Sequence, residues 1–353
     1  MAAWAPLVPY AKQRLDLGDG TLGLVLLSMG IGSVVAMPIA GVLAGRFGCR
    51  AVIIAAAALL CGALPFLATV AYLPALVLAL FGFGAGLGAI DVAMNMHAIN
   101  VEREAGRAIM SGFHGLFSLG GIVGASGVSG VLGLGMSPLA AEMCVVGIGA
   151  IALAWTAPRL LPYASGGAGS VLSVPRGAVL FIGILCFIGF LTEGSVLDWS
   201  GVFLIAVRGE EPHYAGLAFA CFSATMTLGR LVGDRLVRRF GGPAVITFGG
   251  LGAAVGLAMV VFIPSLPAAL AGYALVGAGC SNVVPVLFTS VGRQTDMPES
   301  IAVPAVTALG YAGILAGPAA IGLVASALSL SAAFLLLVAL QLVVAASGRR
   351  LRV

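Results

Sequence analysis

Long apolar segments separated by short polar turns run along the whole chain, and no other feature restricts the fold as strongly. Hydrophobic residues make up 61% of the 353 positions, whereas charged residues make up only 8%. A water-soluble domain could not cover its surface with so few charged side chains, but helices inside a bilayer do not need them. The composition therefore predicts an all-α polytopic membrane protein.

The predicted spans fall into two groups of apolar segments, each close to the roughly 20 residues that a helix needs to cross a bilayer. The first group is 21–44, 51–70, 74–97, 108–132 and 138–158. The second group is 177–207, 214–236, 244–263, 267–290, 302–327 and 330–346. Residues 1–10 form a stub that is too short to span, and 159–176 are rich in Gly, Ser and Pro, which indicates a linker. We therefore predict an N-terminal helical half at 1–158, a cytoplasmic linker at 159–176 and a C-terminal helical half at 177–353.

Arginine and lysine are concentrated on one side of the predicted membrane. Of the 17 basic residues, 14 lie at alternate connections between spans, and only Lys12, Arg14 and Arg208 lie at the others. The positive-inside rule then predicts that the linker and the C-terminus face the cytoplasm of a bacterial inner membrane. A single lysine leaves no polybasic patch for nucleic acid, and the six cysteines have no metal-binding spacing. Neither nucleic acid nor a cofactor is therefore expected as a partner.

The chain repeats itself at a constant offset of 193 residues. Arg46-Phe47-Gly48 recurs as Arg239-Phe240-Gly241, and Gly84-Ala85-Gly86 recurs as Gly277-Ala278-Gly279. Further matches are Pro74 with Pro267, Gly120 with Gly313 and Gly124 with Gly317. One offset across four helices predicts two parallel six-helix halves, and in such folds the binding site lies between the halves.

The repeat also indicates an incomplete first helix. The second half opens its first helix near Gly177, and the offset of 193 places the counterpart upstream of Met1. About 17 further apolar residues, roughly one helix, are therefore expected before the stub. Trp4 corresponds approximately to Trp199, near the outer end of that helix. The predicted fold is eleven full spans plus a stub that represents the end of helix 1.

Two neighbouring spans carry polar side chains that face one way. Asp91 and Asn95 are four residues apart on one helix, and His114 and Ser118 have the same spacing on the next, after Ser111. An aspartate costs about 2.5–3.5 kcal/mol at the centre of a membrane helix, so it is retained mainly for transport or for a structural ion pair. We interpret Asp91 as a proton-coupling residue, and Asn95, His114 and Ser118 as substrate-binding residues. Helix packing stays open as the alternative for each.

The second half contributes a further set of polar residues. Glu193 lies about 24 Å along its helix from Gly177, and therefore within the membrane, and we interpret it as a second proton-coupling residue. Three further residues are predicted to bind substrate, and two of them replace smaller residues of the first half: Trp199, Asn282 in place of Ala89, and Tyr311 in place of Ser118.

The basic turns resemble a motif of the major facilitator superfamily. Residues 41–50, GVLAGRFGCR, are similar to its GxxxDRxGRR loop, with Gly45 in place of the aspartate. The second half has GRLVGDR at 229–235, which keeps an Asp-Arg pair. The resemblance implies a cytoplasmic gate, and the residues predicted for it are Arg46, Arg50, Arg230, Asp234 and Arg235. The aspartate that supports the charge relay of the family is therefore missing from the first half.

A narrower resemblance comes from four segments. They are Trp4-Ala-Pro-Leu-Val-Pro, Asp91-Val-Ala-Met-Asn95, SGFHGLFSLGG at 111–121 and Glu193-Gly-Ser-Val-Leu-Asp198-Trp199. These look like the YbjJ/MosC-like group, which is similar to fucose permease-like carriers in the helices that carry Asp91 and Asn95. The resemblance implies a monomeric secondary active transporter, not an enzyme. It would move a small polar solute, such as a sugar, polyol or amino-sugar, by alternating access together with protons.

Two alternatives stay open at this point. A drug or metabolite exporter would have a more apolar cavity than one that holds Asp91, Asn95 and Glu193. A non-transporting membrane sensor or a degenerate carrier is favoured by the incomplete first helix and by the loss of the motif aspartate at Gly45.

Overall fold

The computed structural model describes residues 2–17, 19–162, 174–211 and 214–351. Within these ranges the chain is helical and contains no strand. Eleven of the described helical segments are long and apolar enough to cross a membrane, as the sequence predicted. The centre of the predicted linker, 163–173, lies outside the described residues.

The described residues form thirteen α-helices, which follow a 3-10 turn at Ala2–Leu7. They are α1 (Val8–Arg14), α2 (Asp19–Phe47), α3 (Cys49–Thr69), α4 (Leu73–Ala105), α5 (Met110–Gly133), α6 (Pro138–Thr156), α7 (Gly177–Ala206), α8 (Ala215–Phe240), α9 (Gly242–Phe262), α10 (Leu266–Cys280), α11 (Val283–Val291), α12 (Glu299–Ala327) and α13 (Leu330–Ser347).

Several predicted boundaries were wrong because an apolar stretch of sequence marks only the membrane-embedded part of a helix. The backbone hydrogen bonds of the helix continue beyond that part, into polar residues. The stub predicted at 1–10 continues in α1 to Arg14. The span predicted at 74–97 continues to Ala105, where α4 ends. The span predicted at 214–236 continues to Phe240, where α8 ends.

The span predicted at 267–290 is two helices rather than one. α10 ends at Cys280 and α11 begins at Val283, with Ser281 and Asn282 between them. Pro285 explains the break, because a proline has no backbone N–H to donate to the carbonyl four residues earlier, which here is that of Ser281. The equivalent α4 of the first half has no proline there and is continuous.

The chain forms two compact units. The first contains Met1–Val101, Phe117–Val174 and Pro298–Ala305, and the second contains Glu102–Leu116, Pro175–Met297 and Val306–Val353. Each unit thus includes one short segment from the other half of the sequence.

The first unit packs the N-terminal stub against α3, α4 and α6. Trp4, Leu7 and Ala11 are buried in one apolar cluster with Leu67 and Phe83. Arg14 at the end of α1 donates three hydrogen bonds to the last carbonyls of α3, those of Leu67 (2.8 Å), Ala68 (2.5 Å) and Val70 (2.8 Å). Burial lowers the pKa of this guanidinium from its ordinary value. The stub is therefore a fixed part of the unit, tied to the end of α3.

The second unit repeats two contacts of the first at the offset of 193. A Cβ on Gly84 would lie 1.9 Å from the carbonyl oxygen of Met29, and one on Gly277 would lie 2.1 Å from that of Phe222. Glycine is required at both helix crossings because the backbones touch there. Arg208 donates to the carbonyl of Val260, which is the repeat position of Leu67. The sequence repeat is therefore also a repeat of contacts.

The Arg14 contacts predict that the stub stabilises the first unit. Arg14→Ala leaves three helix-end carbonyls without their charged donor, and we expect it to lower the free energy of unfolding by about 1–3 kcal/mol. Thermal unfolding of the purified protein in detergent would measure this loss. Gln13→Ala, at the exposed neighbouring position in α1, is the matched control and should unfold close to the wild type. An unchanged midpoint for Arg14→Ala would contradict the prediction.

Candidate functional site

The aspartate–asparagine pair of α4 forms a hydrogen-bonded unit. Asn95 is buried, and its Nδ2 donates to the backbone carbonyl of Asp91 (2.9 Å) and to its Oδ1 (3.0 Å). The Oδ1 of Asn95 has no hydrogen-bond partner among the described residues. Asp91 itself is only half-buried. The pair therefore presents a carboxyl group and a buried amide acceptor within one turn of a membrane helix.

A charged pair lies in the second unit. Arg230 of α8 is buried, and one of its terminal nitrogens lies 3.6 Å from the carboxylate of Glu193 on α7. The Glu193 side chain is 27% exposed, so the pair is accessible from the Glu193 side only. An ion pair inside a membrane span neutralises two charges that would each be costly alone. Removal of either partner would therefore leave an unpaired charge in the second unit.

The break between α10 and α11 supplies an acceptor for this arginine. Pro285 leaves the Ser281 carbonyl without a backbone donor. This carbonyl instead accepts a long hydrogen bond of 3.4 Å from Nε of Arg230. Discontinuous membrane helices with exposed backbone carbonyls mark binding sites in many transporters. Here the freed carbonyl helps to orient a buried guanidinium.

Asn282 joins the break to α8. Its Nδ2 donates to the carbonyl of Gly229 (2.9 Å) and to Oγ of Ser281 (2.9 Å), whereas its Oδ1 has no partner among the described residues. A Cβ on Gly233 would lie 1.7 Å from that Oδ1, so α8 approaches the break closely at Gly229 and Gly233. The predicted substrate contact at Asn282 is thus also a packing contact.

The other four predicted substrate residues have different surroundings. His114 is buried on α5, with its ring 5.9 Å from that of Phe288, centroid to centroid. Ser118, one turn later, is half-buried and belongs to the first unit. In the second unit the Tyr311 ring lies 6.4 Å from that of Phe190, and the Trp199 ring packs against Gly322. Their roles stay predictions.

The predicted gate residues differ between the two copies of the motif. Gly41 packs so closely on α12 that a Cβ would lie 2.2 Å from Cγ of Pro304. At the repeat position, Asp234 instead accepts a hydrogen bond from the backbone N–H of Gly112 (3.0 Å) in the first turn of α5, where a carboxylate also meets the positive end of the helix dipole. Arg46 and Arg235 are exposed, and Arg50 is half-buried.

Four polar contacts of the segment Glu102–Leu116 were not predicted. Glu102 is buried and accepts from Oγ1 of Thr289 (2.8 Å) and from the backbone N–H of Ile109 (3.2 Å). Arg103 donates to the carbonyl of Gly292, and Arg238 donates to that of Ala108. Together with the Asp234 contact, they hold the segment Glu102–Leu116 within the second unit. The only sequence signal was the run of charges at 102–107, which the predicted topology placed in a loop.

Comparison with known proteins decides the family. The sequence model described as Major Facilitator Superfamily matches residues 1–296. The chain belongs to the major facilitator superfamily. An uncharacterised MFS-type transporter of Yersinia pestis is 54% identical to it, over 99% of this chain and 91% of that protein.

Two further similarities agree with this membership. The membrane protein MosC of Rhizobium meliloti is 32% identical, over 99% of this chain and 86% of its own length. Among solved structures, the fucose:proton symporter FucP of E. coli superposes with a TM-score of 0.78, covering 99% of this chain and 95% of that one at 19% identity. At this identity the likeness shows the fold alone. The predicted family, all-α fold and transporter class are confirmed, and the family is not one of enzymes.

The Glu193–Arg230 pair makes a prediction about stability. Arg230→Met should lower the free energy of unfolding by about 1–3 kcal/mol, less than the 3–5 kcal/mol of a fully buried pair, because Glu193 is partly exposed. Arg230→Met combined with Glu193→Gln should recover most of this loss, since no unpaired charge remains. Thermal unfolding of the single and double variants measures the coupling. Additive losses would show that the two side chains do not depend on each other.

Proposed function

We propose that this protein is a proton-coupled secondary transporter that moves a small polar solute of the sugar, polyol or amino-sugar type by alternating access. It would work in a bacterial inner membrane with its C-terminus in the cytoplasm. The observation that carries the proposal is the Asp91–Asn95 unit, in which a membrane-embedded carboxyl group and an amide are joined by a hydrogen bond of 3.0 Å.

The unit supports coupling because one residue contacts both candidate ligands. A proton on Asp91 changes that carboxyl from a pure acceptor to a donor as well, which changes what Asn95 can bind. The Oδ1 of Asn95 is an acceptor for a solute hydroxyl or ammonium group. Proton and solute binding would then be linked through the same side chain, which is the thermodynamic requirement for coupling.

The available acceptors favour a solute rich in hydrogen-bond donors. Asn95 and Asn282 both use their amide NH₂ groups on protein atoms and leave their Oδ1 atoms as buried acceptors. Asp91 and Glu193 add carboxylate oxygens. Sugars, polyols and amino-sugars present several O–H or N–H donors, and the FucP symporter, whose fold this chain shares, carries fucose with protons.

The second acid, Glu193, has a different environment. Its partner Arg230 lies 3.6 Å away, whereas Asp91 accepts a hydrogen bond from Asn95, the buried residue whose Oδ1 is also the candidate acceptor for the solute. We therefore propose Asp91 as the main proton carrier. Glu193 would serve as a second proton-coupling residue that acts through its ion pair with Arg230.

The direct test uses Asp91→Asn, which imitates the protonated acid. In proteoliposomes with an alkaline interior, we expect the solute accumulation driven by the pH gradient to be at least roughly tenfold lower in the variant than in the wild type. Counterflow exchange should be retained. The probes are labelled L-fucose, D-xylose, myo-inositol and D-glucosamine, assayed side by side. Asp198→Asn, an exposed acid on α7, is the matched control and should accumulate normally.

The outcomes separate the alternatives. Normal pH-driven accumulation by Asp91→Asn would exclude it as the carrier, and Glu193→Gln would then be tested in the same way. A lower yield of folded protein with surviving flux still coupled would indicate a structural acid. A wild-type protein that moves none of the four probes would contradict the proposed solute class.

The orientation is tested by cysteine labelling in a background without the six native cysteines. Because arginine is concentrated on the linker side, an impermeant maleimide added outside should fail to label Ser170→Cys and should label Glu211→Cys. Ser170 lies outside the described residues, and this expectation rests on the charge distribution alone. The reverse labelling pattern would overturn the orientation.

A further inference from the structure

Two apolar grooves occur at repeat-related places on the membrane-facing helices. In the first unit a groove of about 370 Å³ lies between α2, α3 and α4, and in the second unit one of about 420 Å³ lies between α8, α9 and α10. Nine lining positions coincide at the offset of 193; among them, Leu43, Phe47 and Ala51 of the first groove correspond to Leu236, Phe240 and Ala244 of the second. The two grooves therefore correspond to each other in the repeat.

The walls of both grooves suit hydrocarbon rather than a polar solute. The first is lined by Ala, Val, Ile, Leu and Phe side chains only. The second includes Asn282, but the NH₂ group of that residue already donates to a carbonyl of α8. Helices of this length and composition are surrounded by lipid, so an acyl chain is the molecule available to fill such a groove.

Each groove has a phenylalanine at one end and an arginine held over it. Phe47 is 58% exposed and Phe240 is 57% exposed. The guanidinium carbon of Arg46 lies 5.2 Å from the Phe47 ring centroid, and that of Arg239 lies 5.3 Å from the Phe240 ring centroid. The same cation–π contact therefore fixes a positive charge at the mouth of each groove.

The charge at both mouths is not offset by a neighbouring acid in the sequence. The position before Arg46, an aspartate in the family motif, is Gly45, and the position before Arg239 is Arg238. Arg50, at the start of α3, adds a further positive charge beside the first groove. A molecule with an apolar tail and an anionic head would match both the walls and the mouth.

We propose that each groove binds one anionic phospholipid, with an acyl chain between the helices and the phosphate on Arg46 or Arg239. A guanidinium binds phosphate through two parallel hydrogen bonds, and basic pockets between membrane helices bind anionic headgroups. The first groove contains none of the residues proposed to bind the transported solute. The lipid is phosphatidylglycerol or another lipid with the same net charge.

The test counts bound lipids by native mass spectrometry of the purified protein, titrated with phosphatidylglycerol or phosphatidylethanolamine. The wild type should retain two phosphatidylglycerol molecules and bind phosphatidylethanolamine more weakly. Arg46→Gln and Arg239→Gln should each weaken one site roughly fivefold, and the double variant should weaken both. Ala51→Phe, which adds a ring to the wall of the first groove at a position where the second groove also has alanine, should remove one lipid and leave the other.

Two control variants carry the same changes away from the grooves. Arg159→Gln removes an arginine held 4.7 Å from the ring of Trp155, a similar cation–π contact that lines neither groove. Ala150→Phe adds a ring at an exposed position on α6. Both should bind two lipids as the wild type does. Equal binding of the two lipids, equal weakening by Arg159→Gln, or an unchanged count for Ala51→Phe would overturn the proposal.

Discussion

The interior of a bilayer offers no water to hydrogen-bond, so every polar backbone group there must find a partner within the protein. Backbone hydrogen bonds satisfy these groups along the helices, but not at the helix ends or at the break between α10 and α11. Side chains contact several of the backbone groups that remain there. Arg14 and Arg208 take the terminal carbonyls of α3 and α9, and Asp234 takes an N–H of α5. The structure is fixed by charged side chains on backbone groups as much as by apolar packing.

The same requirement explains why the break at Ser281 matters. Pro285 removes one backbone donor, and the carbonyl that loses it becomes an acceptor for Arg230, which in turn lies beside Glu193. Pro285 thus frees the carbonyl that Arg230 contacts, and Arg230 in turn contacts the membrane-embedded carboxylate of Glu193. The first half has no such proline, and its polar unit is built instead from Asp91 and Asn95 on one unbroken helix. The two halves repeat the fold while their polar chemistry has diverged.

Composition and the offset of 193 were enough to predict the class, the number of spans and the repeat, because these depend on length and hydropathy alone. The Asp91–Asn95 contact was also predictable, since two residues one turn apart must be neighbours. The Glu193–Arg230 pair was not, because it depends on how α7 and α8 are rotated about their axes. Pro285 was a usable signal for the break, but a hydropathy window counts apolar residues and does not register a missing N–H. Helix ends such as Ala105 and Phe240 were missed for the same reason.

The exchange of short segments between the two units has a consequence for biosynthesis. The segment Glu102–Leu116 is made with the first half of the chain, but its partners Thr289 and Gly292 are translated more than 180 residues later. During insertion into the membrane, Glu102 must therefore remain hydrated, or be held by other groups, until α8 and α11 have emerged from the ribosome. The first half cannot reach its final packing on its own. The fold is therefore completed only after both halves of the chain have been translated.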